Sequence, residues 1–470
     1  MINACPIGIE SWRLHPATLV MGVAVFALCA PSLVPARAQC ETAKLLDPAG
    51  AADDWFADNA ALDGHTLVIG APARDGWTGA AYVFRYDGTT WIEEACLMPH
   101  DLAPGDSFGC STGVSGDTVV IGAYYDDDNG DASGSGYVFR YDGSQWVEEA
   151  KLLPDDGAPD DMFGWSVDIF GGTVVIGAPW DDDYGDRSGS AYVFRFDGSG
   201  WNQEAKLLPA DGAPVNFFGE SAAVWGNTAI IGAAYDDDNG ELSGSAYVFH
   251  FNGSTWVEQA KLLPSDGDEY DCFGYPVRVH GGVAVIGASW DDVNGEKSGS
   301  AYIFRYDGST WNEEAKLLPS DGAPGDWFGI RADIHDDTAV LGAYFHDDNA
   351  GAAYLFRYDG TDWYEHAKLQ PTDGPLTAWV GFCTTVDAGR AVVGAHDLVE
   401  DCGSAYIFNL DIPGCAADLD RDCDTDLADL GVLLAAWGCT GGGCPGDLNH
   451  DGTTNLADLA ILLADWGCGA

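Results

Sequence analysis

Residues Phe163–Pro209 read FGWSVDIFGGTVVIGAPWDDDYGDRSGSAYVFRFDGSGWNQEAKLLP. Four short apolar runs lie in this stretch. Phe163–Ile169 ends at Gly171-Gly172, and Thr173–Ala178 follows at once. An acidic loop leads to Ser190–Phe196, an Asp197-Gly198 joint follows, and Trp201–Leu208 closes the unit. β-Branched and aromatic runs bounded by Gly and Asp read as strands, and two-residue Gly-Gly or Asp-Gly joints read as hairpins. The stretch predicts a four-stranded antiparallel meander.

The unit recurs. Its Ala-Lys-Leu-Leu mark stands at Ala43, Ala150, Ala205, Ala260 and Ala315, with variants at Ala95 and Ala367, at intervals of 52, 55, 55, 55, 55 and 52 residues. The Phe-Gly mark stands at Phe108, Phe163, Phe218, Phe273 and Phe328, and degenerates to Phe56-Ala57 and Val380-Gly381 at the ends. Seven Gly-Ala marks run from Gly70 to Gly394. A repeat of this length with four strands is the signature of a β-propeller blade. Only six outer strands begin with Trp: Trp91, Trp146, Trp201, Trp256, Trp311 and Trp363. None follows Phe408, whereas Cys40–Leu46 is a lone outer strand at the start. The prediction is therefore seven blades over residues 39–412, the last completed by the N-terminal strand, which removes an exposed edge. In such a meander the tight turns share one face. The long acidic loops, such as Asp126-Asp127-Asp128, and the blade connections share the other. Loops on a rigid scaffold carry function more often than the scaffold does.

The chain carries 75 Asp and Glu against 20 Lys and Arg, a formal charge of −55. That repels phosphate backbones and favours cations, so a nucleic-acid partner is not expected. Residues 1–38 read as a secretory signal. Arg13 precedes an apolar run, and Ala36-Arg37-Ala38 is a cleavage site, so the expected mature chain begins at Gln39 and is extracellular or at the cell surface. No later run is long and apolar enough to span a bilayer.

After a short linker the pattern turns helical. Leu427, Leu430, Leu434 and Trp437 share one helical face, as do Leu456, Leu459, Leu463 and Trp466 in a second copy 29 residues on. A twelve-residue Ca²⁺ loop precedes the second helix. Its expected ligands are Asp447, Asn449, Asp451, Thr453 (by its carbonyl), Asn455 and Asp458, with Gly452 at the sharp turn. The first copy offers Asp418, Asp420, Asp422, Asp424, Asp426 and Asp429, with Cys423 where glycine is expected.

These two loop–helix copies, each followed by Trp-Gly-Cys at Trp437–Cys439 and Trp466–Cys468, resemble a dockerin domain, here residues 413–470. The resemblance implies Ca²⁺-dependent folding and a cohesin-like partner that tethers the protein to a larger assembly. It also implies recognition through Leu427-Ala428 and Leu456-Ala457, residues that equally suit the core at a helix start. The repeats resemble FG-GAP repeats, the blades of integrin α propellers, on Phe163-Gly164 followed by Gly177-Ala178-Pro179. That resemblance implies partner binding on the loop face. The family's Ca²⁺ loop between the first two strands has no counterpart in the tight turns here.

No catalytic constellation emerges, and the histidines are scattered, with none at metal-ligand spacing. Asp126–Asp128 and its equivalents read either as turns or as Ca²⁺ ligands. The repeated tryptophans read either as packing or as sugar platforms. Pseudo-symmetry suggests a Cys415–Cys468 disulfide with Cys439–Cys444 beside it, and Cys96–Cys110 and Cys383–Cys402 are candidates in the ring, with connectivity open. The expected function is a non-enzymatic binding or adhesion module. The alternatives are a glycan-acting enzyme, disfavoured by near-identical blades, and a multivalent lectin using Tyr125, Trp180, Tyr235 and Trp290.

Overall fold

The computed structural model describes residues 39–47, 54–371, 373, 378–387, 389–396 and 403–410, and in the C-terminal region 419, 425, 427–440, 444, 446–449, 453–464 and 466. Seven four-stranded antiparallel sheets are present. The third, for example, is Ser166–Phe170, Thr173–Ala178, Ser190–Phe196 and Trp201–Leu207, in that order. The innermost strands of successive sheets touch one another in sequence, and the innermost strand of the seventh touches that of the first. The ring is closed as expected. Cys40–Leu46 pairs antiparallel with Gly403–Asn409 as the outer strand of the seventh blade.

Except at Phe273-Gly274, which opens the strand Phe273–His280, the Phe-Gly mark lies before the inner strand rather than within it, so that strand starts later than expected. Phe163 instead makes a parallel bridge to Gly134 of the preceding blade, and the same bridge joins Gly189 to Phe218. Gly134 has φ +82°, and a Cβ there would meet the Phe163 carbonyl oxygen at 1.9 Å. Glycine is required by both conformation and close approach. The bridge seats Phe163, wholly buried, edge-on to Tyr192 at 5.5 Å and Phe194 at 5.9 Å. Its apolar cluster also holds Val120 and Val138 of the second blade, so the core lies between blades and ties neighbours together.

The outer strands are bulged at one fixed position. In the third blade Val193 faces Ala205 and Phe194 faces Gln203, which leaves Glu204 unpaired in the ladder. A bulge re-aims the extra side chain. Glu204 accepts hydrogen bonds from Arg195 of its own blade at 2.8 Å and from Trp256 Nε1 of the next at 2.8 Å. Glu149 does the same with Arg140 and Trp201. The repeated tryptophan thus staples blade to blade, which favours the packing reading.

Two helices, Leu427–Ala435 and Leu456–Ala464, form the tail. Their buried contact is Leu433 against Leu462, flanked by Leu430 and Leu459. The expected stripe is rotated from this face. Leu427, Leu434 and Trp437 are 73%, 53% and 43% exposed, with matching values in the second copy. The contact between two short helices buries a strip narrower than the apolar face, and the remaining leucines stay outside. Cys439 and Cys444 form a disulfide. Cys96 and Cys110 are both free thiols, which corrects the expected pairing. Cys96 lies on an outer strand and Cys110 beside an inner one, at opposite radii of the ring. Cys383 is also free, and Cys402, Cys415 and Cys468 lie outside the described residues.

Candidate functional site: the loop face and the channel

Each acidic loop is anchored by a cation from the chain itself. Asp126, Asp181, Asp236 and Asp291 open these loops, and all four are buried. Tyr137, Tyr192 and Tyr247 donate their hydroxyls to the first three at 2.7, 2.9 and 2.9 Å. The lysine of the Ala-Lys-Leu mark reaches into the same cluster. Lys206 Nζ lies 2.8 Å from Asp156, 2.8 Å from Asp181 and 2.7 Å from Asp183. Lys151 and Lys261 repeat the arrangement, and Lys316 keeps two carboxylates because Val293 replaces the third. Burial alone would lower the Lys206 pKa, but the carboxylates outweigh it and hold the ammonium above its ordinary value. The buried carboxylate that opens each loop is therefore paired with the protein's own ammonium, which favours the turn reading over the Ca²⁺ reading. In the first blade Cys96 stands in the lysine's place, and Arg74 supplies the charge, donating to Tyr82 at 2.6 Å and to Cys96 Sγ at 3.2 Å. The motif lysine carries this signal in the sequence, but only the fold shows its three partners.

The blades differ where their inner strands line the central channel. At one level the third to seventh blades present Asp168, Ala223, Arg278, Asp333 and Thr385. Asp168 accepts the Val224 N–H at 2.7 Å, and Asp333 accepts Thr385 Oγ1 at 2.8 Å and the Val386 N–H at 2.8 Å. Burial pushes Asp168 up to about 6, against the pull of the Val224 N–H and of Arg278. Nearer the loop face, Arg331 donates to the Tyr275 hydroxyl at 3.1 Å and lies over the Tyr275 and Phe382 rings. Asp58 is also pushed up to about 6 by burial, opposed by Arg331. The blades are thus not near-identical on their inner strands, which weakens the symmetry argument against a specialised centre.

An aromatic collar surrounds this end of the channel. Tyr124 packs on Tyr125 at 4.3 Å and on Trp165 at 4.9 Å. Across the ring, Trp327, Phe345, Tyr344, Trp379 and Phe382 form a continuous cluster. The side-chain nitrogens Trp290 Nε1, Trp379 Nε1 and Arg331 Nε are buried without a hydrogen-bond partner. Of the loop aromatics, Trp180 is covered by Arg187 at 4.3 Å and Trp290 by Lys297 at 4.0 Å. Those ring faces are already occupied, which disfavours a stacked sugar at each blade.

In the tail, Asp418, Asp420, Asp422, Asp424, Asp426 and Asp451 lie outside the described residues. Asp429 and Asp458, the closing carboxylates, are wholly buried. Asp458 accepts the N–H groups of Leu448 at 2.8 Å, Asn449 at 3.2 Å and Asn455 at 2.7 Å, and Asp429 accepts that of Leu419. Asn455 Oδ1 accepts the Ala457 N–H at 2.8 Å at the helix start. Asp447, Asn449, Thr453, Asn455 and Asp458 carry oxygen donors of the type Ca²⁺ takes, and the Thr453 carbonyl here accepts Asn455 Nδ2 at 3.2 Å. Leu427, Ala428, Leu456 and Ala457 are exposed, so they are not helix-start core.

Among the described residues, no helix is long and apolar enough to cross a membrane. Human integrin alpha-6 is 29% identical over 203 residues, 39% of this chain and 17% of that protein. Integrin alpha-7 is 28% identical over 213 residues in mouse (41% and 17%) and 27% over 211 residues in rat (41% and 18%). The chain thus spans less than a fifth of the length of these relatives. Six segments, residues 40–84, 91–139, 146–194, 201–249, 256–304 and 311–356, match the FG-GAP repeat. Each begins on the outer strand of one blade and ends in the third strand of the next. These segments cover more than half of the chain, which belongs to the FG-GAP repeat family.

Proposed function

We propose that the propeller is a non-enzymatic adhesion-type module that seats a protein partner on its loop face, over the aromatic collar and the channel mouth. The observation that carries this is where symmetry breaks. The blades share their cores but differ at Asp58, Cys110, Trp165, Glu220, Tyr275, Ile330 and Phe382, the equivalent residues of one layer at that mouth. The aromatics supply rigid contact area, and unpaired buried donors invite an acceptor from outside. The charge of −55 selects partners with a basic surface and makes association salt-sensitive. The similarity to integrin α chains is consistent with an extracellular setting, as is the signal-like start.

The tail, on this reading, is a dockerin-like module that folds around Ca²⁺ and tethers the propeller through a cohesin-like partner. The exposed pairs Leu427-Ala428 and Leu456-Ala457, related by the internal repeat, support it. The test for the propeller is a three-arm screen of the full chain against a basic peptide library, a glycan array and a hydrolase panel. The expected outcome is salt-sensitive peptide binding that Tyr124→Ser with Tyr125→Ser abolishes. Glycan binding lost on changing Trp180 and Trp290, or turnover of a glycan, would replace it with one of the rival readings.

A further inference from the structure

At the tight-turn end of the channel, the last residue of each inner strand reaches the next blade, and the seven contacts close a circle. Asp63 accepts the Gly116 N–H, Ser115 Oγ accepts that of Gly171 at 3.0 Å, and Phe170 packs on Trp225 at 5.2 Å. Trp225 packs on His280 at 5.4 Å, and His280 stacks on His335 at 4.2 Å. His335 Nδ1 lies 2.8 Å from Asp387 Oδ1, and Asp387 accepts the Gly64 N–H of the first blade. The two imidazoles are 55 positions apart, one repeat, and the curvature of the ring makes them neighbours. Scattered in the sequence, these two histidines are brought together by the fold.

We propose that His280, His335 and Asp336 bind one divalent transition-metal ion of the zinc class at this mouth. The Asp336 carboxylate stands between the two rings, Oδ1 3.1 Å from His280 Nδ1 and Oδ2 3.8 Å from His335 Nε2. One ligand atom from each of the three residues can be chosen so that all lie within 4.8 Å of one another. Ligands sharing a tetrahedral zinc at about 2.0–2.1 Å stand roughly 3.3 Å apart, so the His280–Asp336 separation already fits and the His335–Asp336 separation must shorten on binding. A second feature points the same way. Metal-bound imidazoles commonly hand their other ring nitrogen to a carboxylate, which fixes tautomer and orientation. Asp387 holds His335 Nδ1 in this way and leaves Nε2 to face Asp336. His280 Nδ1 accepts the Asp336 N–H at 3.1 Å, and the ion takes over that lone pair. Imidazole selects zinc-class metals over Ca²⁺, which separates this site from the oxygen-rich loops of the tail. With three protein ligands, a tetrahedral ion keeps a fourth position that can take a ligand from a partner.

The test uses the full chain, stripped with chelator and titrated with Co²⁺ and then Zn²⁺ in excess Ca²⁺. The expected result is one bound equivalent with visible Co²⁺ ligand-field bands, displaced by Zn²⁺. His280→Ala and His335→Gln each abolish the bands. Asp387→Asn, which changes a positioning residue, weakens binding about 10–100-fold and shifts the bands. Absence of the bands in the unmodified chain, or their persistence in both histidine variants, overturns the proposal.

Discussion

Lys206 Nζ lies 2.8 Å from the buried Asp181 carboxylate, with Asp156 and Asp183 as its other neighbours. An outer-strand lysine thus pins a loop opened by the second strand and a connection arriving from the preceding blade. The acidic face is held in shape by cations built into the chain.

Replacing Lys206 with Met should destabilise the propeller by about 3 kcal/mol, because it leaves Asp181 buried beside two further carboxylates. Chemical denaturation checks this. The variant should also regain stability on adding Ca²⁺, since three carboxylates and no ammonium make a hard-cation site. A variant as stable as the parent would show the lysine to be mere surface charge.

The melting temperature should rise between pH 7.5 and about pH 5, then fall in stronger acid. Asp54, Asp161 and Asp271 join Asp58 and Asp168 in being pushed up to about 6, each chiefly by burial. A carboxyl raised on folding contributes stability that is full below its unfolded pKa of about 4 and lost as pH rises through about 6. Asp211 and Asp266 run the other way. Burial would raise them, but Lys261 and Lys316 hold them below the usual carboxylate range. Their contribution is full above about pH 4 and lost as pH falls through the lowered values. Calorimetry across this range reads both limbs, and Asp58→Asn should flatten the first. A melting temperature that falls steadily from pH 7.5 would refute the assignment.

Deleting Cys40–Leu46 should lower the propeller's melting temperature by on the order of 5–10 °C and promote self-association. The deletion bares the edge of Gly403–Asn409 and removes the Lys44–Asp373 pair at 3.0 Å. Scanning calorimetry with light scattering decides it, and an unchanged melt removes the closure argument.

Chelation should unfold the tail helices while leaving the propeller intact. The two loops are dense in carboxylates, and without a cation the mutual repulsion of these charges disfavours the folded tail. Hydrogen exchange resolved by segment reads both parts, and protected tail amides in excess EDTA would count against the loop assignment.

The repeat marks carried the fold because each serves one local need: glycine at the interblade bridge, Asp-Gly at the hairpin, β-branched runs in strands. Blade number and closure followed from counting them. The lysine clusters were half legible. The lysine stands openly in the Ala-Lys-Leu mark, but its partners sit 23, 25 and 50 positions away at Asp183, Asp181 and Asp156. His280 and His335 were invisible as a pair, since no spacing rule relates residues one repeat apart until the ring curves. The tail's leucine stripe misled because its apolar face is wider than the contact that one neighbouring helix can cover.

Since each sequence repeat starts on one sheet and finishes in its neighbour, a tandem duplication of the unit adds a whole sector already stitched on both sides. Gene-level growth or loss of copies would alter the ring's circumference without stranding a lone edge, and the leading strand would remain the clasp at every size.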